Sequence, residues 1–131
     1  MNPSQARSFA VASLATLTAG MRPVSRPSHG WLRTIREAFG LPLSAVAQAL
    51  HVTPQAVREY ERSEAADRIS LATLRRAADA MGCELVVAVI PKAGRSFAHV
   101  AGQHDPDVKH WLAAEHSMAL EGQGVGDLPR Q

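Results

Sequence analysis

The chain has 131 residues and a formal net charge of +2, with 46% of its residues hydrophobic and 20% charged. That balance suits one folded domain with short extensions and excludes a large multidomain enzyme or a low-complexity chain. Its longest apolar run, residues 85–90, is far below the roughly 20 residues a membrane span requires, so no membrane association and a cytoplasmic location are expected. The single cysteine, Cys83, excludes an internal disulfide and a thiolate metal cluster. Charge is spread unevenly: residues 1–40 hold five arginines against one glutamate, residues 41–82 are balanced, and residues 83–131 hold four cations against six acids. Twelve of the 14 cations are arginine, the side chain whose planar fork matches phosphate and guanine edges, so the front half suits a polyanionic partner or a solvated surface.

In chain order, Phe9, Leu14 and Leu17 among alanines predict a helix over residues 4–17, and Gly20 stops it. Residues 22–30, with Pro23, Pro27, Arg22 and Arg26, read as a basic linker that can reach along a groove or lie solvated. Trp31, Leu32, Ile35 and Phe39 share a helical face ended by Gly40. Leu43, Val46, Ala47 and Leu50 repeat the pattern after Pro42. Thr53 then caps a third helix of this group, with Pro54 in its first turn and Val57 and Tyr60 inward. After a loop at residues 63–69, Ser70 caps a fourth, lined by Leu71, Leu74, Ala77, Ala78 and Met81 and closed by Gly82.

Residues 84–90, rich in valine and stopped by Pro91, predict a β-strand. A lone strand needs a partner, either the segment 97–100 in a hairpin or the same strand of a second copy. The second arrangement is favoured and makes Leu85, Val87 and Val89 the dimerisation residues of a homodimer. Residues 94–104 read as linker. Asp105 and Pro106 then open a last helix with Val108, Trp111, Leu112, Glu115 and Met118 as its stripe. The chain accordingly divides into residues 1–29, 30–91 and 92–131.

Two helices at residues 43–50 and 54–62 joined by a tight turn are the geometry that presents a second helix to the DNA major groove. The string LPLSAVAQALHVTPQAVREYERSE, residues 41–64, resembles the helix-turn-helix of the XRE family, the Cro and phage-repressor type, and the resemblance covers residues 31–82. It implies a mainly α fold: a five-helix-type DNA-binding domain with one strand on its C-terminal side and helical extensions at both ends. It further implies that Gln55, Arg58 and Glu59 read bases, while Thr53, Arg62 and Arg68 hold phosphates. Two positions depart from the family. Pro54 stands where a base-contacting glutamine is common, and His51 where glycine usually makes the turn.

The tail ends HSMALEGQ before a glycine-rich terminus. On a helix Ser117 and Glu121 lie one turn apart, followed by Gly122, and this spacing resembles the inhibitory helix of Fic-type adenylyltransferase systems. The arrangement over most of residues 1–123 looks like the family called mobile mystery protein A. The resemblance implies a repressor that binds its own operator and an antitoxin whose Glu121 pairs with an arginine in the ATP site of a Fic-domain toxin. A simple dimeric repressor, whose tail helix stabilises the dimer or binds a small ligand, and an interaction adaptor that never meets DNA are the alternative readings. His104, His110 and His116, six apart, do not share a helical face, so no metal is expected. No phosphate loop or nucleophile elbow appears, so neither catalysis nor a cofactor is expected.

Overall fold

The computed structural model describes residues 1–113. Within them lie α1 (Pro3–Leu17), α2 (Trp31–Ala38), α3 (Leu43–Leu50), α4 (Pro54–Ala65), α5 (Leu71–Ala80) and α6 (Phe97–His104), a 3-10 turn at Lys92–Gly94 and a helical stretch at 106–113. Val24–Val87 forms one compact unit, and Met1–Pro23 together with residues 88–113 forms another.

In the first unit α2 to α5 enclose a core of Leu32, Val46, Ala47, Val57, Leu74, Ala77 and Met81. Ile35, Leu41, Leu50, Val52, Tyr60 and Ile69 pack around it. The apolar positions of each helix recur three and four residues apart, so each helix turns one stripe inward. The stripes are narrower than the sequence suggests, because Trp31, Phe39 and Leu71 remain exposed. Side-chain caps start two of the helices: Thr53 Oγ1 accepts the Ala56 N–H at 3.1 Å, and Ser70 Oγ accepts the Thr73 N–H at 3.1 Å.

Helix α2 begins differently. Its N-cap position is Gly30, which has no side chain to offer and sits at φ 85°. The Leu32 N–H donates instead to Glu64 Oε1, 2.9 Å away on α4. One donor of the first turn is thereby satisfied, by a carboxylate placed where the helix dipole favours negative charge. A Cβ at residue 30 would stand 2.6 Å from that same oxygen, so both the backbone angle and the space require glycine.

A second link joins α2 to α4. Arg36 Nε and Nη2 donate to the two carboxylate oxygens of Glu61 at 2.5 and 3.2 Å, and Nη1 donates to the Leu41 carbonyl at 3.0 Å. Both side chains are largely buried. The hydrogen bond to Glu61 raises the guanidinium pKa further above its ordinary value, so Arg36 stays charged throughout the working range.

All four helices of this unit close alike: the residue just past the last turn takes a left-handed conformation, and paired N–H bonds return to the final carbonyls. Gly40 and Gly82 serve α2 and α5, whereas His51 (φ 58°) and Asp67 (φ 59°) serve α3 and α4.

The strand expected at residues 84–90 is not there. None of the described residues is in a β-strand, so the fold is all-α and not α with one strand, and Leu85, Val87 and Val89 form no paired ribbon. Residues 84–90 make no backbone–backbone hydrogen bond among the described residues. Valine favours extended backbone, but a strand exists only where a ladder satisfies its N–H and C=O groups. The hairpin partner considered at residues 97–100 is instead the first turn of α6, started by Ser96 Oγ accepting the His99 N–H at 3.0 Å. Leu85 packs against the core, while Val86, Val87 and Val89 are 78%, 54% and 82% exposed.

In the other unit α1 packs against α6. Asn2 and Gln5 open α1 with a reciprocal capping box. Arg7 Nε and Nη2 donate to Asp105 Oδ2 at 3.0 and 2.6 Å, and this hydrogen bonding holds the Asp105 carboxyl below its ordinary pKa. The other oxygen of Asp105 accepts the Asp107 and Val108 N–H groups and so caps the stretch 106–113. Val108 is buried, and Trp111 and Leu112 are half-buried. Glu115 and Met118 lie outside the described residues.

Replacing an exposed left-handed histidine by glycine removes a steric cost, so His51→Gly is expected to raise stability by about 1 kcal/mol in urea denaturation. Glu61→Ala, which strands Arg36 in a largely buried site, is expected to lower it by about 3 kcal/mol. A loss no larger than that of a surface substitution would show that the Arg36–Glu61 pair is effectively solvated.

Candidate nucleic-acid interface

Helices α3 and α4 are joined by residues 51–53 alone, with Ala47 buried among the core side chains and Val52 half-buried in the turn. This short connection follows from the closure at His51 and the cap at Thr53, which end one helix and start the next within three residues.

Helix α4 has two unlike sides. Val57, Tyr60, Glu61 and Glu64 recur at the i, i+3, i+4, i+7 spacing of an inward stripe, and all but the half-buried Tyr60 are buried. Gln55, Arg58, Glu59 and Arg62 take the other side and are exposed. Gln55 and Arg58 lie in the first two turns, and neither makes a side-chain hydrogen bond or ion pair among the described residues. Glu59 stands 3.6 Å from Arg62, an exposed pair that contributes little to stability. Thr53 is exposed at the start of α4, with its hydroxyl oxygen occupied by the cap. Arg68 follows the end of α4, is exposed, and has no ion pair among the described residues. The structure thus brings Gln55, Arg58, Glu59 and Arg62 onto one surface, with Thr53 at one end of the helix and Arg68 at the other.

Arg26 is placed otherwise than as a free linker cation. Its Nε is 2.9 Å from Glu64 Oε2 and its Nη2 is 3.1 Å from Asp67 Oδ1. Glu64 is wholly buried, and Oε2 accepts no well-directed hydrogen bond among the described residues, so Arg26 serves it as a counter-charge. The linker is fastened to α4 at this point instead of reaching toward a groove.

Sequence reasoning gave Arg26 only as a linker cation that can reach along a groove, passed over Gly30, Arg36 and Glu64 as contributors to the site, and gave Glu61 no role. The signal was present in the stripe of α4, where two acids occupy positions that an apolar side chain usually takes. A pair of inward acids calls for two inward cations, and the basic first third of the chain supplies them.

The motif residues Ser117, Glu121 and Gly122 lie outside the described residues. Among the described residues no three His, Cys, Asp or Glu side chains gather as metal ligands. No helix there is long and apolar enough to cross a membrane.

Residues 32–87 match the family model described as HTH_3, Helix-turn-helix. No curated protein and no solved structure matches the chain. The matched region runs from the first turn of α2 to just past α5, and these residues form a helix-turn-helix domain.

Proposed function

We propose that the chain is a sequence-specific transcriptional repressor that sets α4 in the DNA major groove. The observation that carries this reading is the division of α4. Its inward side is held to α2 through Glu61 and Glu64, and its outward side presents Gln55, Arg58, Glu59 and Arg62 to solvent. A rigid helix with free polar ends along one side is what base reading requires. Gln55 suits adenine N6 and N7, Arg58 suits guanine O6 and N7 or a phosphate, and Glu59 suits cytosine N4. Thr53, Arg62 and Arg68 suit the phosphate backbone, which sets register without reading sequence. Two half-sites on one duplex call for two copies of the chain. Association through Val87 and Val89 is supported by their exposure and does not need a β-ladder, whereas Leu85 is taken up by the core of its own domain.

Arg58→Ala is expected to relax preference at one operator base pair, at a cost of about 1–3 kcal/mol on the preferred sequence, whereas Arg68→Ala weakens binding evenly on all sequences. Gel shifts over a singly substituted operator series check this. Equal losses from both variants on every duplex would remove the base-reading role of Arg58.

We extend the reading to a second activity, inhibition of a Fic-type adenylyltransferase toxin by the tail. It is supported by the spacing of Ser117, Glu121 and Gly122 and by the likeness to mobile mystery protein A. A glutamate that pairs with the toxin's arginine replaces one phosphate contact of ATP. In co-expression with such a toxin, Glu121→Gly is expected to release adenylylation while operator binding stays intact. Inhibition that persists in the variant would leave a simple dimeric repressor.

A further inference from the structure

We infer that Arg26 is a positioning residue for a phosphate contact made by Arg68, acting through Asp67; this inference rests on the DNA-binding reading above. The guanidinium of Arg26 is forked between two carboxylates of unlike surroundings, Glu64, wholly buried, and Asp67, 85% exposed. A buried carboxylate held by one counter-charge cannot lose it without a large desolvation penalty, so the Nε arm stays on Glu64. The other arm is then a fixed point, and Asp67 is tied to it at 3.1 Å.

Asp67 is the left-handed residue that closes α4. Its N–H donates to the Glu64 carbonyl at 3.1 Å, and the next N–H, that of Arg68, donates to the Ser63 carbonyl at 2.8 Å. Backbone conformation alone favours glycine at this place. What aspartate adds is the carboxylate that meets Arg26. The contact does two things for the neighbouring side chain. It fixes the turn from which Arg68 departs, and it offsets a negative charge that would otherwise stand beside Arg68 and repel a phosphate. One arginine is consumed inside the domain so that another, with no ion pair among the described residues, is presented at the end of the recognition helix.

Asp67→Gly tests this in the full chain, because glycine suits a φ of 59° and the fold is kept. The probes are a duplex selected by the wild-type chain from a randomised pool and a second duplex of unrelated sequence. Positioning predicts an affinity loss of roughly threefold to tenfold on both duplexes, with the slope of log K against log salt flattened by about 0.9, the equivalent of one phosphate contact. Asp67→Asn keeps an oxygen for Arg26 Nη2 and tolerates the left-handed backbone, and is expected to restore most of the binding. Thermal melting of Asp67→Gly at or above the wild-type temperature excludes unfolding as the cause of the loss. If Asp67 acted only as a repelling charge, its removal would tighten binding and steepen the slope. That outcome, unchanged binding, or a loss confined to the selected duplex each overturns the inference while leaving DNA binding in place. Failure of the wild-type chain to enrich any duplex from the pool, or to bind the unrelated one, would overturn the DNA-binding reading and this inference together.

Discussion

The carboxylate of Glu64, buried against the first turn of α2, is the constraint on which the helix-turn-helix unit turns. Its Oε1 stands in for the N-cap side chain that Gly30 lacks, and its Oε2 faces the guanidinium of Arg26. Three pieces distant in sequence, the linker, α2 and α4, therefore meet at one side chain. Three residues earlier on the same helix, Glu61 meets Arg36. Two fixed points on one side of α4 set its rotation about its own axis, which a purely apolar stripe would define less sharply. Buried ion pairs add little net stability over apolar packing of equal volume, and here they specify which way the helix faces.

That orientation decides which arginines face solvent. Arg26 and Arg36 are spent on buried acids, while Arg58 and Arg68 stand free of ion pairs among the described residues. Residues 41–82 carry no net charge, yet the acids Glu61 and Glu64 are turned inward and matched by cations from the first third of the chain. The field at the outer side of α4 is thus more positive than the local count of residues suggests, which favours encounter with a polyanion.

Much of this unit was legible in the sequence, for reasons specific to its residues. The caps Thr53 and Ser70, the closing glycines at positions 40 and 82, and stripes such as Leu43, Val46, Ala47 and Leu50 are local signals, and local hydrogen bonding honours them. The misreadings arose where a local preference met a tertiary fact. The valines of residues 84–90 favour extended backbone, but no neighbour among the described residues supplies a ladder, and so the segment is not a strand. Residues 97–104 looked like linker because glycine and histidine dilute the apolar pattern, yet Ser96 caps a helix there and α1 provides the surface on which it packs. Glu61 and Glu64 stand at inward positions of the α4 stripe, but were passed over as interior residues because an acid is ordinarily solvated. Their burial depends on arginines 25 and 38 positions away.

The two helices of the helix-turn-helix pair close on His51 and Asp67, whereas α2 and α5 close on glycine. A non-glycine residue in the left-handed region costs roughly 1 kcal/mol, and both costs fall on the pair that carries the outward face. At Asp67 the side chain has a use that offsets the backbone cost, since it takes the second arm of Arg26. At His51 the side chain is exposed and makes no hydrogen bond among the described residues, so its cost has no internal return. Stability and the proposed recognition therefore draw on opposite sides of α4. The inner side, with its acids and their arginines, governs whether the domain holds its shape, and the outer side can vary in sequence without disturbing that shape.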